Sequence, residues 1–461
     1  MDSMNTARAE TPSLRVLVAS RPGLRVLAPG AALRGRDIGA STIFASRRRE
    51  LAGKSVLIGA RSQFVAARAL IELDGLAARL VICPPDFSPG RLASVISQGE
   101  VDAIVSDAAD KDFGVEREIY LCGDPVPIDE EDCFTRLASQ WVLPTSGTTG
   151  APKLVAHRLE GLLGAIRPAC EPIPVWATFY DIRRYGGLQI FLRACVTGAQ
   201  LLLSDARESL GDYMIRCAKA DVTHISGTPS HWRQLLMSPD AELIDPKYVR
   251  LSGEIADRAI LDALRAVYPR AVISHAYAST EAGVGFEVAD GREGFPTALL
   301  DANGEVELRL RDGSLHVRSK RTATAYIGQG GLKLLDDEGF VDTDDVVEQK
   351  GDRCFFKGRR AGVINVGGLK VHPEEVEQVI NEHSEVRMSR VSARRSPIMG
   401  DLIIAEVAPR NVATPREAGA LETEILDLCR ARLPRHMVPV TIRFVPAIDI
   451  LASGKLARRH A

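Results

Sequence analysis

Short runs of Val, Ile and Leu, apolar on both faces, recur between residues 55 and 279, and helical patterns separate them. SVLIGA (55–60), RLVICPP (79–85) and VDAIVSD (101–107) read as strands, with helices over 64–76 and 91–100 between them. A strand without a polar face must be covered on both sides, and strands joined by helical crossovers run parallel. The same grammar continues further on. GAQLLLSD (198–205), VTHISGTP (222–229), YVRLSGE (248–254) and AVISHAYAS (271–279) read as strands, and 209–220 and 256–269 as helices. An α/β chain with a layered parallel sheet is therefore expected.

From about residue 303 the period changes to two. EVELRLRDGSLHVRSK (305–320) predicts a hairpin turning at Asp312-Gly313, and further short strands are expected within 354–371. Helices are expected over 374–383 and 415–433, so the last hundred or so residues read as a small α+β unit. The domain joint is placed near Gly358–Gly362, giving domains of 1–358 and 359–461.

With 461 residues, 45% of them hydrophobic, the chain has ample material for two or three folding units. Lys and Arg number 58 against 60 Asp and Glu, which leaves no basic field to hold a polyanion. Binding to nucleic acid through Arg47–Arg49 and Arg394–Arg395 is accordingly not expected. The eight cysteines form no C-x-x-C pair, excluding a zinc ribbon or thioredoxin-type motif. They are expected to be reduced and mostly buried. No secretory leader and no apolar run of membrane-spanning length is apparent, so a cytoplasmic protein is expected.

The sharpest motif is Thr145-Ser146-Gly147-Thr148-Thr149-Gly150-Ala151-Pro152-Lys153. Glycines let backbone N–H groups converge on an anion, hydroxyls add donors, and lysine adds a compact charge. The spacing is not that of P-loop nucleotidases. A phosphate cradle and a Gly/Thr-rich surface turn both fit the loop by itself. The G-x-G spots at Gly283/Gly285 and Gly328/Gly330 lack the third glycine of a dinucleotide fingerprint.

Four later segments accompany the loop in fixed order: Tyr277-Ala278-Ser279-Thr280-Glu281, Thr343-Asp344-Asp345, Gly358-Arg359 with Val363–Gly368, and Gly454-Lys455-Leu456. With TSGTTGAPK, this set resembles the signatures of the adenylate-forming superfamily, which includes acyl-CoA synthetases and carrier-protein adenylation domains. The resemblance covers nearly the whole chain. It implies a large N-terminal domain of layered α/β subdomains with a small β-barrel-like part, plus a small mobile α+β C-terminal domain. It also implies a two-step reaction: a carboxylate attacks the α-phosphorus of Mg·ATP, and a thiol then attacks the acyl-AMP.

On the same resemblance, Thr145, Ser146, Gly147, Thr148, Thr149, Gly150 and Lys153 would hold the β- and γ-phosphates. Thr280 would touch the α-phosphate and Glu281 would help hold Mg²⁺. Gly253, Glu254 and Ile255 would line the adenine and acyl pockets through their backbone. Ala276 and Tyr277 would flank adenine, the tyrosine ring stacking on it. Asp345 would accept both ribose hydroxyls, with Arg359 nearby, and Lys455 would be the adenylation lysine. Gly367 and Gly368 would line the pantetheine tunnel in the thioester-forming state.

Several positions depart from the family pattern. Asp344 replaces a usual glycine, Ala278 another, and Ala361 the usual Asp or Lys at the hinge. Arg183 or Arg184 occupies the region of a pocket-wall histidine, either pairing with a polar acyl group or solvated. Ser279 would cap a helix if Glu281 were an ordinary helix-start acid. VINVGGLKVHPEEVE (363–377) favours CoA as the acceptor. The alternatives are the phosphopantetheine arm of a separate carrier protein, or a non-catalytic nucleotide- or acyl-binding relative.

Overall fold

The computed structural model describes residues 11–128, 137–145, 152–168, 172–300, 302, 304–328, 332–396, 400–411 and 414–458. Ser146 to Gly150, the centre of the phosphate loop, lie outside these, as do Cys133 and Cys170. Contacts divide the chain into two units. One comprises residues 1–176, 181–207 and 320–334; the other comprises 177–180, 208–319 and 335–461.

The first unit is built on a seven-stranded sheet. Ser55–Ile58, Arg79–Ile82, Ala103–Ser106 and Glu118–Leu121 run parallel, and Gln140–Thr145 joins parallel to Arg79–Ile82. Every residue of Ser55–Ile58 and Ala103–Ser106 is buried, as strands covered on both faces require. Gln63–Leu73 and Pro89–Gln98 form the expected crossover helices. Lys153–Arg158 then returns antiparallel to Gln140–Thr145, with Lys153 opposite Thr145. Thr145 and Lys153, at the two ends of the phosphate loop, are therefore paired strand residues of the sheet.

The second unit opens with the parallel strands His224–Gly227, Tyr248–Ser252 and Val272–Ser279. Helices Pro229–Leu236 and Arg258–Val267 connect them. Ser279 caps no helix here. Its hydroxyl accepts Ala282 N–H at 2.9 Å, and the chain turns back as Gly283–Val288, antiparallel to Val272–Ser279. The period-two region forms a five-stranded antiparallel sheet in the order 295–296, 353–359, 341–350, 314–319 and 306–311. Its hairpin turns at Asp312-Gly313 as expected, both residues at positive φ.

The C-terminal part carries a sheet of 369–371, 364–366, 400–409 and 386–396, with Thr441–Phe444 added parallel to 400–409. Helices Pro373–Asn381 and Pro415–Arg432 cover it around Val376, Ile380, Ile403, Val407, Ile425 and Cys429. Thr414 and Glu417 close a capping box on the longer helix. Among the described residues the cysteines are free thiols, buried except for the partly exposed Cys122. No helix among them is long and apolar enough to cross a membrane.

Candidate active site

The end of a parallel strand is where the chain leaves the sheet and its backbone becomes accessible. Gly253 follows Tyr248–Ser252 directly and takes φ +86°, which a β-carbon would oppose. Over this turn lies Lys455: its Cε would sit 3.5 Å from a β-carbon built on Gly253. Main-chain ties on both sides hold the lysine there. The Thr228 hydroxyl donates to Gly454 O at 2.5 Å, and Leu456 N–H donates to Glu254 Oε1 at 2.9 Å.

The Lys455 side chain remains exposed, yet protein crowding around the ammonium lowers its pKa below the ordinary lysine value. Arg359 adds to this lowering, while Glu254, Asp345 and Glu281 act in the opposite sense. The charges expected at a ribose–phosphate site are thus close enough to act on one another.

Asp345 and Arg359 face each other across antiparallel strands, and Arg359 Nε donates to Asp345 Oδ1 at 3.2 Å. The other carboxylate oxygen accepts the Tyr277 hydroxyl at 2.7 Å. Burial and the Asp345 charge push the phenol well above its usual pKa, so it stays a donor. The Tyr277 ring is fixed by Phe286 and Phe356, at centroid distances of 5.5 and 5.2 Å. A bulge between Tyr277 and Ala278 sets its direction. Gly285 leaves room for it: a β-carbon there would lie 3.0 Å from Tyr277 Cδ1. Ala276, one residue earlier, is buried.

The doubled acid separates cleanly. Asp344 takes φ +62° and its carboxylate pairs with Arg360, whereas Asp345 faces Tyr277 and Arg359. The usual glycine at this position is explained by the left-handed backbone it must adopt, which aspartate tolerates better than most residues.

Thr280 and Glu281 sit half-buried in the turn between the strands ending at Ser279 and starting at Gly283. The Glu281 carboxylate makes no hydrogen bond or ion pair among the described residues, leaving its oxygens available. No group of three or more His, Cys, Asp or Glu converges among the described residues. One carboxylate supplemented by phosphate oxygens and water is an arrangement that suits Mg²⁺. In the other unit, Thr145 and Lys153 flank the phosphate loop; the Lys153 ammonium lies 5.5 Å from the Tyr326 ring centroid. Gly367 and Gly368, both at positive φ, form the tight turn of the hairpin 364–371 and remain exposed.

Arg183 and Arg184 both have partners within the protein. Arg183 is buried, holding Asp181 with two hydrogen bonds and donating to Ala60 O and Arg61 O. Arg184 pairs with Asp86 at 2.5 Å. Conversely, His231 was not singled out by any motif. It closes a capping box with Thr228, stacks on Phe179 and packs against Gly454. Burial lowers its pKa to about 4, so the ring is neutral at pH 7. A T-P-x-H string could have signalled the capping box, but nothing local points to Gly454.

The family model for AMP-binding enzymes matches residues 74–326, and that for the AMP-binding enzyme C-terminal domain matches 375–455. A 2-succinylbenzoate–CoA ligase of Geobacillus kaustophilus (strain HTA426) is 26% identical over 353 residues, covering 69% of this chain and 68% of that protein. An isonitrile lipopeptide synthase of Streptomyces coeruleorubidus is 26% identical over 507 residues, covering 95% of this chain and 33% of that protein. The solved structure of an anthranilate CoA ligase with anthranoyl-AMP is similar with a TM-score of 0.77 and 15% identity, covering 96% of this chain and 95% of that one. At that identity the likeness is one of fold.

Proposed function

Since the chain belongs to the AMP-binding enzyme family, the adenylate-forming ligases, we propose that it joins a carboxylic acid to the thiol of CoA through an acyl-AMP. In the first half reaction a carboxylate oxygen bonds to the α-phosphorus of ATP and pyrophosphate leaves. In the second, the thiol sulfur bonds to the acyl carbon, AMP leaves, and the thiol proton is released.

The first step drives an anion toward a polyanion, so the site must place cations and donors where charge moves. Thr145, Ser146, Gly147, Thr148, Thr149, Gly150 and Lys153 hold the outer phosphates. Thr280 donates to the α-phosphate, and Asp345 accepts the ribose hydroxyls beside Arg359. Tyr277 and Ala276 flank adenine. Gly253, Glu254 and Ile255 supply backbone contacts to the nucleotide and acyl group. Lys455 bridges the attacking carboxylate and an α-phosphate oxygen, neutralising both in the transition state. Glu281 would help hold Mg²⁺, which would supply positive charge against the phosphates.

The reading rests chiefly on one observation: Lys455 is held over Gly253, where the charges of Asp345, Glu281 and Arg359 act on it. A domain of 359–461 that reorients between half reactions accounts for the second step. The Gly367-Gly368 turn, exposed here, then lines the pantetheine path. The I-N-V-G-G-L-K-V string at 364–371 favours CoA. A separate phosphopantetheinylated carrier is the second reading, supported by the similarity to an isonitrile lipopeptide synthase. We place the enzyme in the cytoplasm, where ATP and CoA are available. Carboxylate-dependent exchange of pyrophosphate into ATP over a panel of acids tests the proposal, followed by mass detection of the thioester with CoA or a carrier. Exchange with no acid in the panel would leave a binding protein as the better account.

A further inference from the structure

Glu254 belongs to a segment in which the sequence motif calls only for backbone contacts, yet both of its carboxylate oxygens are engaged. Oε2 accepts Ser230 N–H at 3.0 Å, and Oε1 accepts Leu456 N–H at 2.9 Å. Ser230 lies in the first turn of Pro229–Leu236, where unpaired amides and the helix dipole favour an anion. The same helix start anchors the other side of Lys455, because its cap Thr228 donates to Gly454 O. Both main-chain neighbours of Lys455 are therefore tied to one helix end.

A lysine stem has four rotatable bonds, so its ammonium is placed well only if the backbone beneath it is fixed. A third tie has a different character. Arg458 holds Glu377 with two hydrogen bonds at 3.0 and 2.8 Å and lies 3.3 Å from Glu374, both on helix Pro373–Asn381. That tie joins the tail to the small C-terminal part and travels with it. The Glu254–Leu456 bond joins the tail to an element outside that part, so it must break if the part reorients.

We propose that Glu254 is a positioning residue whose carboxylate staples the Lys455 turn onto helix Pro229–Leu236, holding the enzyme in its adenylating arrangement. This rests on the acid–thiol ligase reading above. Glu254 also acts on Lys455 electrostatically, helping to keep the ammonium charged.

The test compares Glu254→Ala and Glu254→Gln with the wild-type full chain. Glu254→Ala is expected to lower the kcat of acid-dependent pyrophosphate exchange at least tenfold, with the KM for ATP changed less than threefold. Thioester formation from supplied acyl-AMP is expected to change less than threefold. Glu254→Gln retains one acceptor oxygen and falls between the two. Loss of its charge moves the basic limb of the exchange profile to lower pH, which a purely structural role would not do. Amide hydrogen exchange over 450–458 is expected to speed up at least fivefold in Glu254→Ala. Equal loss of both half reactions, or unchanged tail protection, would overturn the staple. If the wild type performs neither half reaction with any acid, the ligase reading fails, and the amide-exchange comparison still decides whether Glu254 holds the tail.

Discussion

The imidazole of His231 lies against Gly454 so closely that a β-carbon on the glycine would come within 1.9 Å of ring Cε1. Gly454 also takes φ +77°, a second reason for glycine at the position. Gly454→Ala must therefore displace either the imidazole or the turn that carries Lys455. Acid-dependent pyrophosphate exchange is expected to fall at least tenfold. The thermal midpoint should move by no more than a few degrees, because the turn is already exposed at Leu451 and Ala452. Exchange within twofold of wild type would show that the turn tolerates a shift.

His231 also predicts a pH effect on stability. Its folded pKa, about 4, lies below the ordinary 6.5 because burial disfavours the charged ring. The unfolded chain binds the proton more readily, so the contribution is complete above pH 6.5 and is lost as pH falls toward 4. The full loss is on the order of 3 kcal/mol. Denaturation of wild type and His231→Gln at pH 7 and pH 4.5 measures it. The gap between them should narrow at the lower pH.

Asp345 and Asp344 should separate in nucleotide binding. Asp345→Ala removes the acceptor of Tyr277 and the partner of Arg359, and ATP affinity by calorimetric titration is expected to weaken at least tenfold. Asp344→Gly restores an unstrained residue at φ +62° and loses one exposed pair with Arg360. Its effect on stability is expected to stay within about 1 kcal/mol, with ATP affinity within twofold. The reverse pattern would assign the ribose contact to Asp344.

Arg183 should behave as a structural residue. Removing the guanidinium by Arg183→Ala leaves Asp181 without its partner and two carbonyls without a donor, at a cost of about 3 kcal/mol. Arg184→Ala removes a half-exposed pair and is expected to cost less than about 1 kcal/mol. Urea denaturation of both variants checks the ranking.

What the sequence made legible follows from the range of the forces involved. Ser55–Ile58 and Ala103–Ser106 were readable because a strand buried on both faces must be apolar throughout. The hairpin at Asp312-Gly313 was readable because a tight turn needs residues that tolerate positive φ. Ser279 allowed a helix-cap alternative for a local reason. Its hydroxyl accepts the amide three residues on, as a helix cap does, but the alternating Gly283–Val288 segment then forms a strand. Arg183 stayed open between a substrate partner and solvent because the carbonyls it holds, Ala60 O and Arg61 O, lie far away in sequence. The same holds for the site: Thr228 meets Gly454 across 226 residues, and Glu254 meets Leu456 across 202. The family resemblance pointed to Lys455 and Asp345, but the residues that hold Lys455 in place are a product of tertiary packing.

The most direct measurement is the separation of the two half reactions in Lys455→Ala. The account predicts loss of acid-dependent pyrophosphate exchange by at least a hundredfold, while supplied acyl-AMP is still converted to thioester at a rate within threefold of wild type. Exchange that survives the substitution, or equal loss of both steps, would contradict the role given to this lysine.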